Sequence, residues 1–144
     1  MIRCAVRQDA GILAELALDL WGGHSVEEHQ AEFSELLRRE DAACFLACEG
    51  DTPVGFARCQ LRHDYVEGTT SSPVGYLEGI YVRPEFRHHS LGKELLAACE
   101  GWARGQGCRE FASDCELENE TSLKFHLRMG FSEANRIICF KKEL

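Results

Sequence analysis

YLEGIYVRPEFRHHSLGKELL, residues 76–96, is the stretch that decides how this chain folds. Tyr76, Leu77, Ile80, Tyr81 and Val82 are strand formers with little polar interruption, and Pro84, which has no backbone donor, forbids simple continuation of the ladder. A turn and a short basic loop follow. From there Leu91, Leu95, Leu96, Cys99, Trp102 and Ala103 recur as the apolar stripe of a helix from Leu91 to about Gln106. Between strand and helix, Arg87, His88, His89, Ser90, Leu91, Gly92 and Lys93 bring small and cationic residues to a helix start, where free N–H groups and the positive end of the dipole converge. That outlines a site for an anion, and a phosphate is the first candidate.

On the N-terminal side of this stretch, Ile2 to Val6 reads as a strand, and Asp9 as the cap of a helix through Trp21. Ser25-Val26-Glu27-Glu28 has the form of a capping box for a second helix to about Glu40. Ala42 to Cys48 and Val54 to His63 read as antiparallel strands joined by a turn at Glu49 to Pro53, and a polar connection leads into the strand from Val74 to Val82. On the C-terminal side, Arg109 to Cys115 is a fifth strand. A helix separates it from the fourth, so the two should run parallel with a right-handed crossover. Asn119 caps a helix to Met129, and closing strands are expected around Phe131 to Ala134 and Arg136 to Lys142. The order is β-α-α-β-β-β-α-β-α-β-β, an α+β fold with a mixed, mostly antiparallel sheet.

A chain of 144 residues is expected to form one domain, residues 1–144, around a single core. No apolar run approaches the ~18 residues of a membrane helix, and Met1 is followed at once by a strand-like segment, so no membrane partner and a cytoplasmic location are expected. The net charge of −8 argues against nucleic acid and suits a cationic substrate, though it also serves solubility. Eight cysteines include no CxxC pair and sit mostly inside apolar patterns, so reduced core cysteines and no metal site are expected.

If strand four is paired with strand three and parallel to strand five, a ligand fits between the carboxyl ends of four and five, with its phosphates at Ser90 to Lys93. This element order, the RxxSxG loop at Arg87 to Gly92 and the terminal HLRMGF at residues 126–131 resemble the GNAT superfamily of acetyl-coenzyme A-dependent N-acetyltransferases. The resemblance implies strands four and five splayed around acetyl-coenzyme A. It also implies that Ser90 stands where the family's pyrophosphate loop usually has its first glycine. RHDYVEGTTSSPV at residues 62–74, LEGIYVRPEFR at 77–87, EFASDCELEN at 110–119 and Trp21-Gly22-Gly23-His24 are similar to a narrower group, the aminoglycoside 6'-N-acetyltransferases. The implied reaction is direct attack of a polycationic antibiotic's 6'-amine on the thioester, giving resistance, and the implied assembly is a homodimer paired through C-terminal strands.

Such a reaction needs a seat for the thioester, a donor to its carbonyl oxygen and a way to deprotonate an ammonium. The backbone of the fourth strand at Ile80, Tyr81 and Val82 serves the first two needs, pairing with the coenzyme's arm as an added strand would. Asp114 and Glu78 are the catalytic candidates for the third. A carboxylate in an otherwise apolar strand is expensive unless it meets a cation or solvent, although acids at strand ends are often merely solvated. His126 stands where many members of the superfamily carry a tyrosine that protonates the thiolate. It is a coenzyme contact, a structural residue or that acid, and Asn119 is a coenzyme contact or only a helix cap. For substrate, the resemblance points to Trp21 and His24 after the first helix, although Trp21 would equally serve to fill the core, and to Asn135 where the group commonly has an acid; Tyr65 and Glu67 in the polar connection could touch a neighbouring subunit's substrate. Two other readings stay open. One is a GNAT enzyme for another amine, a polyamine or a protein N-terminus. The other is a coenzyme A-binding module without catalysis.

Overall fold

One five-stranded sheet carries the fold, with β1 (Ile2–Cys4), β2 (Ala42–Glu49), β3 (Thr52–Arg62), β4 (Val74–Val82) and β5 (Phe111–Ser113) side by side in chain order. The structure, a computed structural model, describes all of residues 1–144. The strands pair antiparallel up to β4, and β4 with β5 is parallel. Helices α1 (Ala10–Trp21), α2 (Val26–Leu36), α3 (Leu91–Gly105) and α4 (Glu120–Arg128) complete it. The period-two alternation of β2 divides the core. Cys44, Leu46 and Cys48 pack with Leu13, Leu16, Phe33 and Leu36 of α1 and α2, while Ala43 and Ala47 face Leu91, Leu95, Leu96 and Cys99 of α3. No helix is long and apolar enough to cross a membrane.

Two irregularities in β4 position the site. The ladder to β5 covers Gly75↔Phe111, Tyr76↔Ala112 and Leu77↔Ser113 and ends there, so Glu78 to Val82 have no neighbour on that edge. On the other edge Arg58 faces Gly79 but Cys59 faces Leu77, which leaves Glu78 as the extra residue of a β-bulge. The parallel pairing of β4 with β5 is the arrangement expected, and its ladder ends after three residue pairs.

Four local expectations need correction. The two closing strands are absent. Residues 131–144 have no ladder partner within the chain, and their apolar side chains Ile137, Ile138 and Phe140 are 71%, 80% and 90% exposed. The second helix stops at Leu36 rather than Glu40. Asp9 precedes α1 without a capping bond from its side chain, because its carboxylate accepts a forked pair from Arg3 at 2.8 and 2.9 Å and a bond from the Val6 N–H. All eight cysteines are free. Cys44, Cys48, Cys59 and Cys99 are buried, but Cys4, Cys115 and Cys139 are exposed, so only half of the set belongs to the core.

Candidate functional site

The Gly22-Gly23 pair ends α1 with positive φ at both glycines, turning the chain back so that Trp21 and His24 overhang the bulge of β4. Together with His29 and Glu32 of α2, Arg58 of β3 and Glu78, they line a cleft of about 410 Å³, the size of small-molecule sites in general. Trp21 stacks on His29 at 6.4 Å and meets Phe56 edge-on at 5.8 Å. Its indole lies over Gly79, where an added Cβ would come within 2.4 Å of the ring. His24 Nδ1 is 2.9 Å from Glu28 Oε2. Of the expected substrate residues, the cleft therefore brings together Trp21, His24 and Glu78.

Glu78 and Asp114 are joined by side chains that the sequence reading passed over. Arg62 donates to both oxygens of Glu78, at 2.6 and 3.0 Å, while its guanidinium lies 3.4 Å over the ring of Tyr76. The Tyr76 hydroxyl donates to Asp114 Oδ2. Burial first, and the Asp114 partner second, push the Tyr76 phenol well above its ordinary range. Both carboxylates thus have partners in the free protein, and the Asp114 residue remains exposed.

Ser113, the last residue of β5, and Asp114, the residue after it, project to opposite faces. Asp114 joins Tyr76, whereas Ser113 turns toward α4 and lies 2.8 Å from His126 Nε2. Asn119 is the N-cap of α4, its Oδ1 accepting from the Ser122 N–H at 3.1 Å. On the same side of the sheet is the basic loop. Arg87 Nε donates to the Val82 carbonyl at 2.7 Å, and His88, His89 and Lys93 are exposed. The N–H groups of Leu91, Gly92 and Lys93 meet no acceptor, as at any helix start. Ser90 takes φ +65°, the left-handed conformation a glycine adopts freely, and its hydroxyl makes no capping bond. Gly92 lies close under α4, since a Cβ there would approach Phe125 to 3.3 Å. Ile80, Tyr81 and Val82 follow on the open edge of β4, between this loop and the cleft.

Tyr65, Glu67 and Asn135 form a separate group. The Asn135 amide donates to Glu67 Oε1 at 2.8 Å, and Tyr65, 76% exposed, accepts from the Gly68 N–H. None of the three lines the cleft. Of the residues missed, His29 carried a signal, since it lies one helical turn before Phe33 on the buried face of α2. Arg58 did too, as a cation in the otherwise apolar VGFARC of β3. Glu32 on the surface of a helix, and the pairing of Tyr76 with Asp114 across two strands, had none.

Known proteins match this arrangement along nearly the whole chain. The acetyltransferase (GNAT) family profile matches residues 12–131. The chain is 44% identical over 127 residues to "Aminoglycoside N(6')-acetyltransferase type 1" of Salmonella typhimurium, covering 88% of each protein. It is 44% identical over 144 residues to the protein of the same name from Stenotrophomonas maltophilia, covering 99% of this chain and 93% of that one. Among solved structures, AAC(6')-Iy in complex with the bisubstrate analog CoA-S-monomethyl-acetylneamine superposes with a TM-score of 0.95 at 40% identity, covering 100% of this chain and 98% of that one.

Proposed function

The chain belongs to the acetyltransferase (GNAT) family, and from that premise we propose that it transfers the acetyl group of acetyl-coenzyme A to the 6'-amine of aminoglycosides. The observation that carries this reading is the meeting, at Glu78, of two sites. The cleft with its aromatic wall and carboxylates ends on the bulged residue where the open edge of β4 begins. A polycation is attracted from one side, and an extended acyl donor lies along the other.

The loop from Arg87 to Lys93 takes the coenzyme's pyrophosphate with backbone N–H groups and cationic side chains. The coenzyme's pantetheine arm extends the sheet beside Ile80 to Val82, and an N–H near Ile80 or Tyr81 donates to the thioester oxygen as charge develops there. Glu78 and Asp114 hold the substrate's ammonium groups. Asp114, oriented by Tyr76, removes the proton from the attacking nitrogen, directly or through one water. Trp21 and His24 wall the sugar, and Tyr65, Glu67 and Asn135 serve the substrate from the rim. His126 and Asn119 support the coenzyme from α4.

The protein acts as a homodimer in the cytoplasm, where acetyl-coenzyme A is made and used. Support for the dimer comes from Ile137, Ile138 and Phe140, a run of exposed apolar side chains in a segment with no strand partner of its own. Resistance follows if the acetylated antibiotic no longer binds its target.

The test is thiol release from acetyl-coenzyme A with kanamycin as acceptor, followed by identification of the acetylated nitrogen. The 6'-acetyl product is expected. Turnover on spermidine or a peptide N-terminus alone would replace the antibiotic reading with another amine, and binding of the coenzyme without turnover on any amine would reduce the protein to a binding module.

A further inference from the structure

A departing coenzyme thiolate needs a proton, and His126 of α4 meets Ser113 of β5 at the point where the ladder between β4 and β5 ends. The hydrogen bonds around His126 define what the pair can do. Its Nδ1 lies 2.7 Å from the Ser122 carbonyl, which only accepts, so Nδ1 carries a hydrogen. Nε2 is left for Ser113, whose Oγ is 2.8 Å away. Phe131 and Phe125 meet the imidazole at 5.0 and 5.8 Å and hold the ring in this orientation. Ser113 is the last residue of β5, opposite Leu77, where the parallel ladder ends and the free edge of β4 begins.

Alternation along β5 separates the two proton-transfer tasks. Asp114 turns to the face that bears Tyr76 and the cleft, the side from which the amine attacks. Ser113 turns to the other face, toward His126 of α4, the side that bears the loop assigned above to the coenzyme's pyrophosphate. The attacking amine loses a proton and the departing sulfur gains one, so a base and an acid held on separate faces serve the two transfers without exchanging protons with each other.

We propose that the Ser113 hydroxyl gives its proton to the departing sulfur and that His126 orients and re-protonates it, an assignment that rests on the acetyl-transfer reading above. In the imidazolium form both ring nitrogens donate, Nδ1 to Ser122 and Nε2 to Ser113 Oγ, so the serine hydrogen turns away from Nε2 and only the Leu77 carbonyl, 3.5 Å from Ser113 Oγ, competes with the sulfur for it. When the carbon–sulfur bond breaks, its electron pair stays on sulfur and the Ser113 hydrogen moves to it. Ser113 Oγ takes the Nε2 hydrogen of His126, and neutral His126 regains a proton from solvent. Ser113 is the catalytic residue, and His126 acts through it.

The experiment compares wild type with Ser113→Ala, Ser113→Thr and His126→Gln, using acetyl-coenzyme A and then aryl thioacetates of graded thiol acidity as donors, with kanamycin as acceptor. With acetyl-coenzyme A, Ser113→Ala should lower kcat by at least about tenfold and leave the KM for the coenzyme unchanged, and His126→Gln should lower kcat by a similar factor. The deficit should shrink as the leaving thiol becomes more acidic, because a better leaving group needs less help. Ser113→Thr, which keeps the hydroxyl, should remain within about threefold of wild type. In the unliganded protein, 15N spectra should show Nδ1 protonated and an Nε2 resonance that moves in Ser113→Ala. A deficit equal for every thiol, or no deficit, overturns the relay. If Ser113→Ala does not fold, the other two variants carry the comparison. If wild type acetylates a different amine and not kanamycin, the antibiotic reading fails, and the same series run with that amine still decides the relay.

Discussion

The indole of Trp21 occupies the space that a side chain at position 79 would fill: a Cβ built on Gly79 lies 2.4 Å from Trp21 Cζ2. The absence of a side chain on β4 is thus what lets the wall of the cleft rest beside Glu78. Gly79→Ala should push the indole aside, cost about 1–3 kcal/mol of stability and raise the KM for the aminoglycoside about tenfold, with coenzyme affinity unchanged. In Trp21→Ala the same change should cost far less, because the clash is gone. Thermal melts and steady-state kinetics of the two single variants and the double variant check this, and additive effects would refute it.

Tyr76 links stability to alkaline pH. Its phenol is raised above the ordinary value of about 10 by burial and by the bond to Asp114, so the folded pKa exceeds the unfolded one. The contribution of this group is fully present below pH ~10 and is lost as pH rises beyond that toward the folded pKa. Melting temperatures recorded from pH 7 to 11.5 should fall at the alkaline end in wild type and fall less in Tyr76→Phe. At neutral pH the same variant should turn over a few-fold more slowly, since Asp114 loses the donor that orients it.

Asp114→Asn keeps the shape of the side chain and removes its charge. Turnover should drop at least ~10²-fold with coenzyme binding intact, measured by thiol release and by calorimetry with coenzyme A. Unchanged turnover at neutral pH would remove Asp114 from proton transfer.

Ser90 holds φ +65° without a capping bond in return. Ser90→Gly should therefore gain about 1 kcal/mol, seen as a melting temperature higher by a few degrees, and coenzyme A should bind as tightly as before or tighter. A lower melting temperature would show that the serine hydroxyl has a partner that the fold alone does not display.

The exposed apolar run of the C-terminal segment predicts its own disruption. Phe140→Asp, at a side chain 90% exposed in the single chain, should leave the monomer's fold intact and shift sedimentation from dimer to monomer. A dimer that survives this change and Ile138→Asp would place the interface elsewhere.

How much of this was written in the chain depends on range. Period-two and period-3.6 patterns are local, and they were enough for β2, β3, β4, α1 and α3 and for the parallel partner of β4, whose direction follows from the crossover through α3. The strand from Val74 to Val82, the helix start at Leu91 and the caps Ser25 and Asn119 stand where their residues indicated. Residues 131–144 show the opposite case. Their strand-like pattern is real, but a strand exists only when paired, and no partner lies within reach in one chain.

Motif and local pattern by themselves determined the family-like order of elements and marked the basic loop and the two carboxylates as candidates. Only the tertiary structure decided their partners. The slip of the β3–β4 ladder turns Glu78 out as a bulge, Arg62 reaches it across strands, Tyr76 meets Asp114 across the parallel pair, and His29, Glu32 and Arg58 converge under Trp21. The physical reason is that register and side-chain pairing are settled by packing between segments far apart in the chain, which no window of sequence contains.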